Sequence, residues 1–198
     1  MKFCLSSLSS GQSDYRFDRF FPEKIRMLSD RHWTPHLIAK DAANFLAHQP
    51  GTRVLDIGSG IGKFCLMAGY HYPETIFYGV EQRRELINLS QEAKAFYQIK
   101  NAHFIHGNFT EINFDNFDHF YFFNSFLENI DPTDAIDDLN KSLQLYSYYR
   151  NYLFEQLKKR PKGTRLATFD CDISQIPSSY QLTRISHSSL LKMWVKRY

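Results

Sequence analysis

The sequence predicts an α/β fold in which a mostly parallel sheet is covered by helices on both faces. Short apolar and aromatic segments typical of strands alternate with longer segments of helical periodicity. A glycine-rich turn follows the first of these strands, and a short connection joins the last two. The alternation favours parallel strands joined by crossover helices, and the short final connection favours an antiparallel pair.

Composition indicates a single globular domain. The chain has 198 residues, of which 43% are hydrophobic, enough for a sizeable core. Its net charge of +3 is too mild to argue for a nucleic-acid partner on charge alone. Three widely spaced cysteines form neither a metal-binding spacing nor a disulfide framework, so we expect no metal and a reducing cytoplasm. We expect no signal peptide, and without an apolar run of about 18 residues we expect no membrane span.

The N-terminal part is predicted to be helical after a loosely held start over residues 1–14. "RFFPEKIRMLS" predicts a short helix, and "HWTPHLIAKDAANFLAH" predicts a longer one that Thr34 caps and Pro35 begins. Residues 1–32 form an extension or lid, and residues 33–198 form the main domain. Core packing is favoured over a lid for the aromatic residues of this region, which are Tyr15, Phe17, Phe20, Phe21 and Trp33.

Seven strands are predicted after this region, with helices between most of them. Their sequences are "TRVLDIG", "TIFYGVE", "AHFIHGNF", "FDHFYFFN", "TRLATFD", "YQLTRISH" and "LLKMWVKRY". A long helix is predicted from about Asp134 to Lys159, between the fourth and fifth strands.

The turn "GSGIG" after the first strand predicts a ligand-binding loop. Gly58, Gly60 and Gly62 allow a tight turn and close approach of a ligand, and the next helix offers free N–H groups at its start. The third glycine comes one residue too early for a dinucleotide fingerprint, which would place it at Lys63. A nucleotide-linked oxidoreductase is therefore the less favoured interpretation.

Glu81 at the end of the second strand supports a bound nucleoside. It lies about 20 residues beyond the glycine loop, where an acidic side chain accepts hydrogen bonds from ribose hydroxyls. The glycine loop, this glutamate and the strand–helix alternation together indicate a nucleoside-containing cofactor. Arg83 and Arg84, which follow Glu81, are expected to form a solvated helix start.

The segments "VLDIGSGIGKF", "GVEQ", "HGNFTEI" and "RPKGTRLATF" resemble successive motifs of the class I methyltransferases that use S-adenosylmethionine. The resemblance implies a Rossmann-like fold with a seven-stranded, mostly parallel sheet whose last strand is antiparallel. It implies S-adenosylmethionine as cofactor, with Glu81 at the ribose and with Asn108 and Phe109 beside the adenine. The cofactor backbone would lie against the residues of the first motif, which are Asp56, Gly58, Ser59, Gly60 and Gly62.

Within this class the motifs are most similar to those of the non-SET histone lysine methyltransferases. The likeness rests on the "GSG-G", "GVE", "GDF" and "NNF" segments of that group and on the threonine before its first core helix. It implies that Thr34 holds the methionine end of the cofactor and that Trp33 and Phe126 line the substrate. Asn108 replaces the aspartate of that group, and its basic extension is absent, so a histone substrate is not implied.

The apolar run Phe120–Phe123 ends abruptly at Asn124 and Ser125. In such a sheet the end of the fourth strand lies beside the first, next to the ligand site. Asn124 and Ser125 are therefore the predicted catalytic residues, with Asn124 also beside the cofactor. The amide oxygen of Asn124 can accept a hydrogen bond from an amine or hydroxyl. The alternative is that Asn124 only caps the turn after the strand.

These observations predict a methyltransferase whose acceptor is open. A protein side-chain amine is the first interpretation and a small-molecule nitrogen or oxygen is the second. A non-catalytic S-adenosylmethionine-binding module is the third. We expect a cytoplasmic monomer or homodimer without membrane contact, and a nucleic-acid acceptor is disfavoured.

Overall fold

The computed structural model describes residues 10–130, 136 and 142–198, with side chains from residue 14 onward. Within these residues the centre of the fold is a seven-stranded sheet in the order β3-β2-β1-β4-β5-β7-β6. The strands are β1 (Arg53–Ile57), β2 (Ile76–Glu81), β3 (Ala102–His106), β4 (His119–Phe123), β5 (Arg165–Phe169), β6 (Tyr180–Ser186) and β7 (Leu191–Lys196).

The strand directions agree with the predicted class. β1 pairs in parallel with both β2 and β4, and β3 and β5 extend the parallel part on either side. β7 runs antiparallel to β5 and to β6. Strand order reverses between β1 and β4, and this reversal opens a crevice at their carboxyl ends. The predicted Rossmann-like methyltransferase fold is confirmed.

Helices cover both faces of the sheet. In the described residues they are α1 (Ser10–Asp18), α2 (Glu23–Arg26), α3 (Ser29–His32), α4 (His36–Leu46), α5 (Lys63–His71), α6 (Arg84–Tyr97) and α7 (Leu143–Lys158). One buried cluster includes residues of α4, α5 and α6, and the other includes residues of α7. Tyr121 of β4 belongs to the first cluster, and Phe120 and Phe122 belong to the second. This alternation is that of a strand buried on both faces.

The N-terminal aromatic residues pack mainly as core. Phe17, Phe21 and Trp33 are buried in the first cluster, whereas Tyr15 is 63% exposed. Phe21 contacts both Phe17 and Trp33 at centroid distances of 5.3 and 5.1 Å. The interpretation of core packing is confirmed for these three residues.

The predicted cap of α4 is wrong. The helix begins at His36, and the Thr34 hydroxyl lies 3.0 Å from the Tyr121 hydroxyl. The cap comes instead from Asp14 of α1, whose Oδ1 accepts the His36 N–H at 2.9 Å. Sequence proximity suggested Thr34, but packing brings a carboxylate to the same helix end, where it also suits the helix dipole.

Two other helix boundaries differ from the prediction. α1 begins at Ser10, inside the segment that was expected to be loosely held. α7 begins at Leu143, after Ser142 caps it by accepting the Leu145 N–H. The first part of the helix predicted from Asp134 lies largely outside the described residues.

Candidate functional site

An open cleft of about 1170 Å³ lies at the carboxyl ends of β1, β2 and β4. Its walls come from the N-terminal helices, the loop after β1, the ends of β2 and β4, and α7. All the residues predicted for the site except Gly62 line this cleft. They are Trp33, Thr34, Asp56, Gly58, Ser59, Gly60, Glu81, Asn108, Phe109, Asn124, Ser125 and Phe126. Gly62 ends the loop just before α5.

The glycine loop has the backbone that only glycine adopts easily. Gly58, Gly60 and Gly62 have φ angles of +75°, +54° and +75°. The N–H groups of Gly58 and Ser59 donate to the Val80 carbonyl at 3.0 and 2.9 Å, which ties the loop to β2. A Cβ on Gly60 would meet no heavy atom within 4 Å, so the cleft leaves space beside this glycine for a ligand.

Glu81 joins the glycine loop to the chain after β2. Its side chain is buried, and Oε2 accepts the Gly60 N–H at 3.2 Å. Oε1 accepts from the backbone N–H of Arg83 at 2.9 Å. Arg83 in turn makes a two-point ion pair with Glu128, with its shortest N–O distance 2.6 Å. This carboxylate is held at a strand end, where it can also receive ribose hydroxyls.

Asp56 is a buried carboxyl at the base of the cleft. Burial, with a smaller contribution from the nearby Glu81 charge, raises the pKa of Asp56 to about 8, although the hydrogen bond from Cys65 opposes the rise. The Cys65 thiol donates to Oδ2 at 3.7 Å, and burial also raises the pKa of that thiol. We therefore expect Asp56 to be largely protonated at neutral pH, able to donate or accept a hydrogen bond.

Thr34 lines the cleft two residues before the start of α4. Its hydroxyl contacts Tyr121, whose ring stacks on Phe64 with centroids 3.8 Å apart. Burial raises the pKa of the Tyr121 hydroxyl, so the pair stays neutral. The two hydroxyls form a small buried polar pair beside aromatic carbon.

Asn108 and Phe109 form the wall under α7. Asn108 Oδ1 accepts the Thr110 N–H at 3.0 Å, and its amide donates to the Tyr149 hydroxyl. Phe109 is buried and stacks on Phe126 with centroids 5.1 Å apart. A flat group such as adenine would meet an amide and aromatic carbon here.

Asn124 follows β4 in a left-handed conformation with φ +31°. Among the described residues its side chain makes no hydrogen bond, whereas its carbonyl accepts the Leu127 N–H at 3.0 Å. The Ser125 hydroxyl donates to the carbonyls of Ile57 and Phe123 at 2.9 and 3.0 Å. Ser125 therefore joins the ends of β1 and β4, and the Asn124 amide is left to face the cleft.

Several residues of the site escaped the sequence-based prediction. Arg83 was expected to be a solvated helix start, which is wrong, because its side chain is 12% exposed and lies between two carboxylates. Lys63, Tyr121 and Tyr149 also line the cleft. The available signals were weak: a lysine in place of a fingerprint glycine, and single tyrosines within apolar runs.

The cleft fits an adenosine-containing cofactor. It offers the open face of Gly60, the buried Glu81 carboxylate and the Asn108 wall. In the described part of the chain, the Ser59 hydroxyl is buried against Gly79 of β2 and has no hydrogen-bond partner, so the part of Ser59 that a ligand in the cleft can reach is its backbone.

Comparison with known proteins agrees with this geometry. A family model described as a methyltransferase domain matches residues 48–194. The ribosomal RNA small subunit methyltransferase G of Cytophaga hutchinsonii is 31% identical over 90 residues, which is 43% of this chain. The matched part spans only 44% of that relative, less than half of its length.

Two solved structures share the fold. One is an RNA methyltransferase from Salinibacter ruber in complex with S-adenosyl-L-homocysteine, which superposes with a TM-score of 0.60 at 16% identity. The superposition covers 83% of this chain and 93% of that chain. A precorrin-6y C5,15-methyltransferase from Geobacter metallireducens has a TM-score of 0.58 at 9% identity, with 85% and 91% covered. These matches support the methyltransferase class but not the finer likeness to the histone lysine group. Within the described residues no helix is long and apolar enough to cross a membrane.

Proposed function

We propose an RNA acceptor for this chain, which belongs to the methyltransferase domain family and is an S-adenosylmethionine-dependent methyltransferase. The observation that carries the proposal is the 90-residue match to a ribosomal RNA methyltransferase. The match leaves more than half of that relative uncovered, so the acceptor is inferred from similarity and requires a direct test.

The shape of the cleft supports an acceptor that belongs to a larger molecule. The cleft is open to solvent, so a group that projects from a larger molecule can enter it. Enzymes that act on a nucleic-acid base take the base out of its stack into such a pocket. A cofactor and one unstacked base would share the space between Glu81 and Asn124.

The side chains can perform the transfer with little acid–base chemistry. When bound, S-adenosylmethionine supplies a methyl group on a sulfonium, which is already a good leaving group. Asn124 would accept a hydrogen bond from an acceptor N–H and direct the nitrogen lone pair at the methyl group. Phe123 and Phe126 line the cleft on either side of Asn124 and would limit water near the acceptor.

The remaining contacts follow from the same geometry. We propose that Glu81 holds the ribose, that Asn108 and Phe109 border the adenine, and that Thr34 takes the methionine end. The backbone of Gly58, Ser59 and Gly60 would border the cofactor, with Asp56 at the base of the cleft. The Ser125 hydroxyl would shape the strand ends, because its hydrogen bonds go to backbone carbonyls.

The net charge of +3 is too mild to argue for a nucleic acid, but it averages over the whole chain. Binding depends instead on the charges at the cleft, whose lining includes Arg31 and Lys63 as well as Glu81, Glu128 and Asp170. Net charge therefore does not oppose the proposal.

A protein side-chain amine is the second candidate. It is favoured by the segment Phe123–Phe126, which resembles the corresponding segment of the histone lysine group. The fold does not choose between acceptors, because an RNA methyltransferase and a precorrin methyltransferase superpose almost equally well. Small-molecule transfer and cofactor binding without transfer are therefore outcomes that the experiment must separate.

The test is transfer of radiolabelled methyl groups from S-adenosylmethionine to RNA. RNA is prepared from cells that lack the gene and from parent cells, in which the native site is already methylated. We expect the RNA from the deletion cells to accept label and the parent RNA to accept much less. The label should be lost after ribonuclease treatment and kept after protease treatment, and nucleoside mass spectrometry would identify the methylated base.

The matched control is Glu81→Ala, which should remove labelling of every fraction. Label that is protease-sensitive would overturn the RNA proposal in favour of a protein amine. Label in the small-molecule fraction alone would favour the small-molecule reading, and cofactor binding with no label anywhere would favour a non-catalytic module.

A further inference from the structure

Buried ion pairs join α1 to the helix that follows the glycine loop. Lys63 Nζ lies 2.7 Å from Asp14 Oδ1 and 2.7 Å from Asp18 Oδ1. The Lys63 side chain is only 4% exposed, although lysine is almost never fully buried unless it is paired. Both of its carboxylate partners come from the N-terminal extension.

Two aromatic rings complete the surroundings of this lysine. Lys63 Nζ lies 5.5 Å from the centroid of Phe17 and 5.6 Å from that of Trp33. Both distances suit a cation–π contact. Removing water from an ammonium costs several kcal/mol in general, and here α1 supplies both carboxylates and one of the two rings that offset this cost. Lys63 therefore requires α1 in place to remain buried.

Asp14 makes a second contact that Asp18 does not share. Its Oδ1 also accepts the backbone N–H of His36, the first residue of α4. One carboxylate oxygen thus contacts the start of α4 and the start of α5. Thr34 lies two residues before the first of these points, and Lys63 is the second. Thr34 and Lys63 both line the cleft, so one carboxylate joins two parts of its wall.

We propose that Asp14 and Lys63 are positioning residues through which the N-terminal extension assembles the cofactor site. The extension sets the distance between the glycine loop and the start of α4, where the methionine end of the cofactor is proposed to bind. Neither side chain needs to touch the cofactor. The proposal concerns the cofactor alone, so it stands or falls independently of the RNA acceptor.

Asp14→Ala and Asp18→Ala form a matched pair of variants. Each removes one carboxylate that lies 2.7 Å from Lys63 Nζ, but only Asp14→Ala also removes the acceptor of the His36 N–H at the start of α4. We expect Asp14→Ala to raise the dissociation constant of S-adenosylhomocysteine about 5- to 20-fold in calorimetric titration, within the usual range of coupling between sites. Asp18→Ala should raise it less than half as much, while both variants lower the melting temperature. Glu23→Gln, an exposed carboxylate of α2, should change neither quantity.

Coupling between α1 and the cofactor must also act in reverse, because linkage is reciprocal. Saturating S-adenosylhomocysteine should therefore slow amide hydrogen exchange in residues 14–18 of the unaltered protein. This measurement remains decisive if a variant fails to fold. Unchanged exchange in α1, or equal affinity losses in Asp14→Ala and Asp18→Ala, would overturn the proposal and leave the ion pairs with a purely structural role.

Discussion

Replacing Asn124 can separate the chemistry of its side chain from the shape of its backbone. The residue has φ +31°, a left-handed conformation that asparagine and glycine tolerate and alanine does not. An alanine variant therefore changes two properties together. Asn124→Gly removes the amide and keeps the backbone relaxed, so we expect it to be the informative variant.

The expected magnitudes differ between the two variants. Alanine in the left-handed region costs about 1–2 kcal/mol, so Asn124→Ala should lower the free energy of unfolding by about 1 kcal/mol. Asn124→Gly should change it little, because Asn124 makes no side-chain hydrogen bond among the described residues. Both variants lose the amide that we propose orients the acceptor. Misplacement of a reacting atom costs up to about 100-fold, so we expect kcat to fall about 10- to 100-fold in both.

The assay combines three measurements on each protein. Transfer of radiolabelled methyl groups to acceptor RNA gives kcat, calorimetric titration with S-adenosylhomocysteine gives cofactor affinity, and denaturant titration gives the free energy of unfolding. Gln98 supplies the control, because it is exposed, ends α6 with φ +56° and lies outside the cleft. Gln98→Ala and Gln98→Gly should repeat the backbone effects without changing kcat.

One result would refute the reasoning. If Asn124→Gly keeps full kcat while Asn124→Ala loses stability and activity together, the residue only shapes the turn after β4. The capping interpretation would then hold, and the group that orients the acceptor would have to be sought elsewhere in the cleft.

Three further predictions concern the cofactor side of the cleft. Glu81→Ala should weaken S-adenosylhomocysteine binding by about 1–3 kcal/mol through loss of a charged acceptor, whereas Glu85→Ala, an exposed carboxylate of α6, should leave the calorimetric affinity unchanged. Asp56 has its pKa raised to about 8 in the folded state, so the folded protein keeps a proton that the unfolded chain releases, and its contribution to stability falls as pH rises from about 4 to about 8. Asp56→Asn should flatten this part of the unfolding free energy measured against pH, and an unchanged slope would contradict the assignment. Gly62→Ala places a Cβ 2.2 Å from the Phe104 ring and should lower the free energy of unfolding by about 3 kcal/mol. The control Gly163→Ala should lower it by about 1 kcal/mol, because Gly163 also has a positive φ but a Cβ there has no neighbour within 4 Å. Similar losses in both variants would mean that Phe104 moves aside.

The sheet and most of the cleft were predictable from short segments of sequence. Strand and helix periodicities identify their own elements, and the order of those elements leaves few ways to arrange a parallel sheet. Because ligands bind where strand order reverses, the ends of the first, second and fourth strands point to Gly58, Glu81 and Asn124 without any knowledge of contacts. The structure places all three on one cleft.

The contact partners of the polar and charged side chains were not predictable in this way. Thr34 was a reasonable helix cap by its position, yet packing gives its hydroxyl to Tyr121, 87 residues away. Arg83 looked like a solvated helix start, yet Glu128, 45 residues on, pairs with it.

Sequence by itself determined the fold, the cofactor class and the strand ends that form the cleft, because each depends on local pattern and on the few topologies that a parallel sheet allows. Only the tertiary structure decided that Asp14 and Asp18 bury Lys63 beside the glycine loop. The physical reason is that an ion pair depends on distance in space and on the removal of water. Both are set when α1 packs against the sheet domain, and neither leaves a periodic trace in the chain.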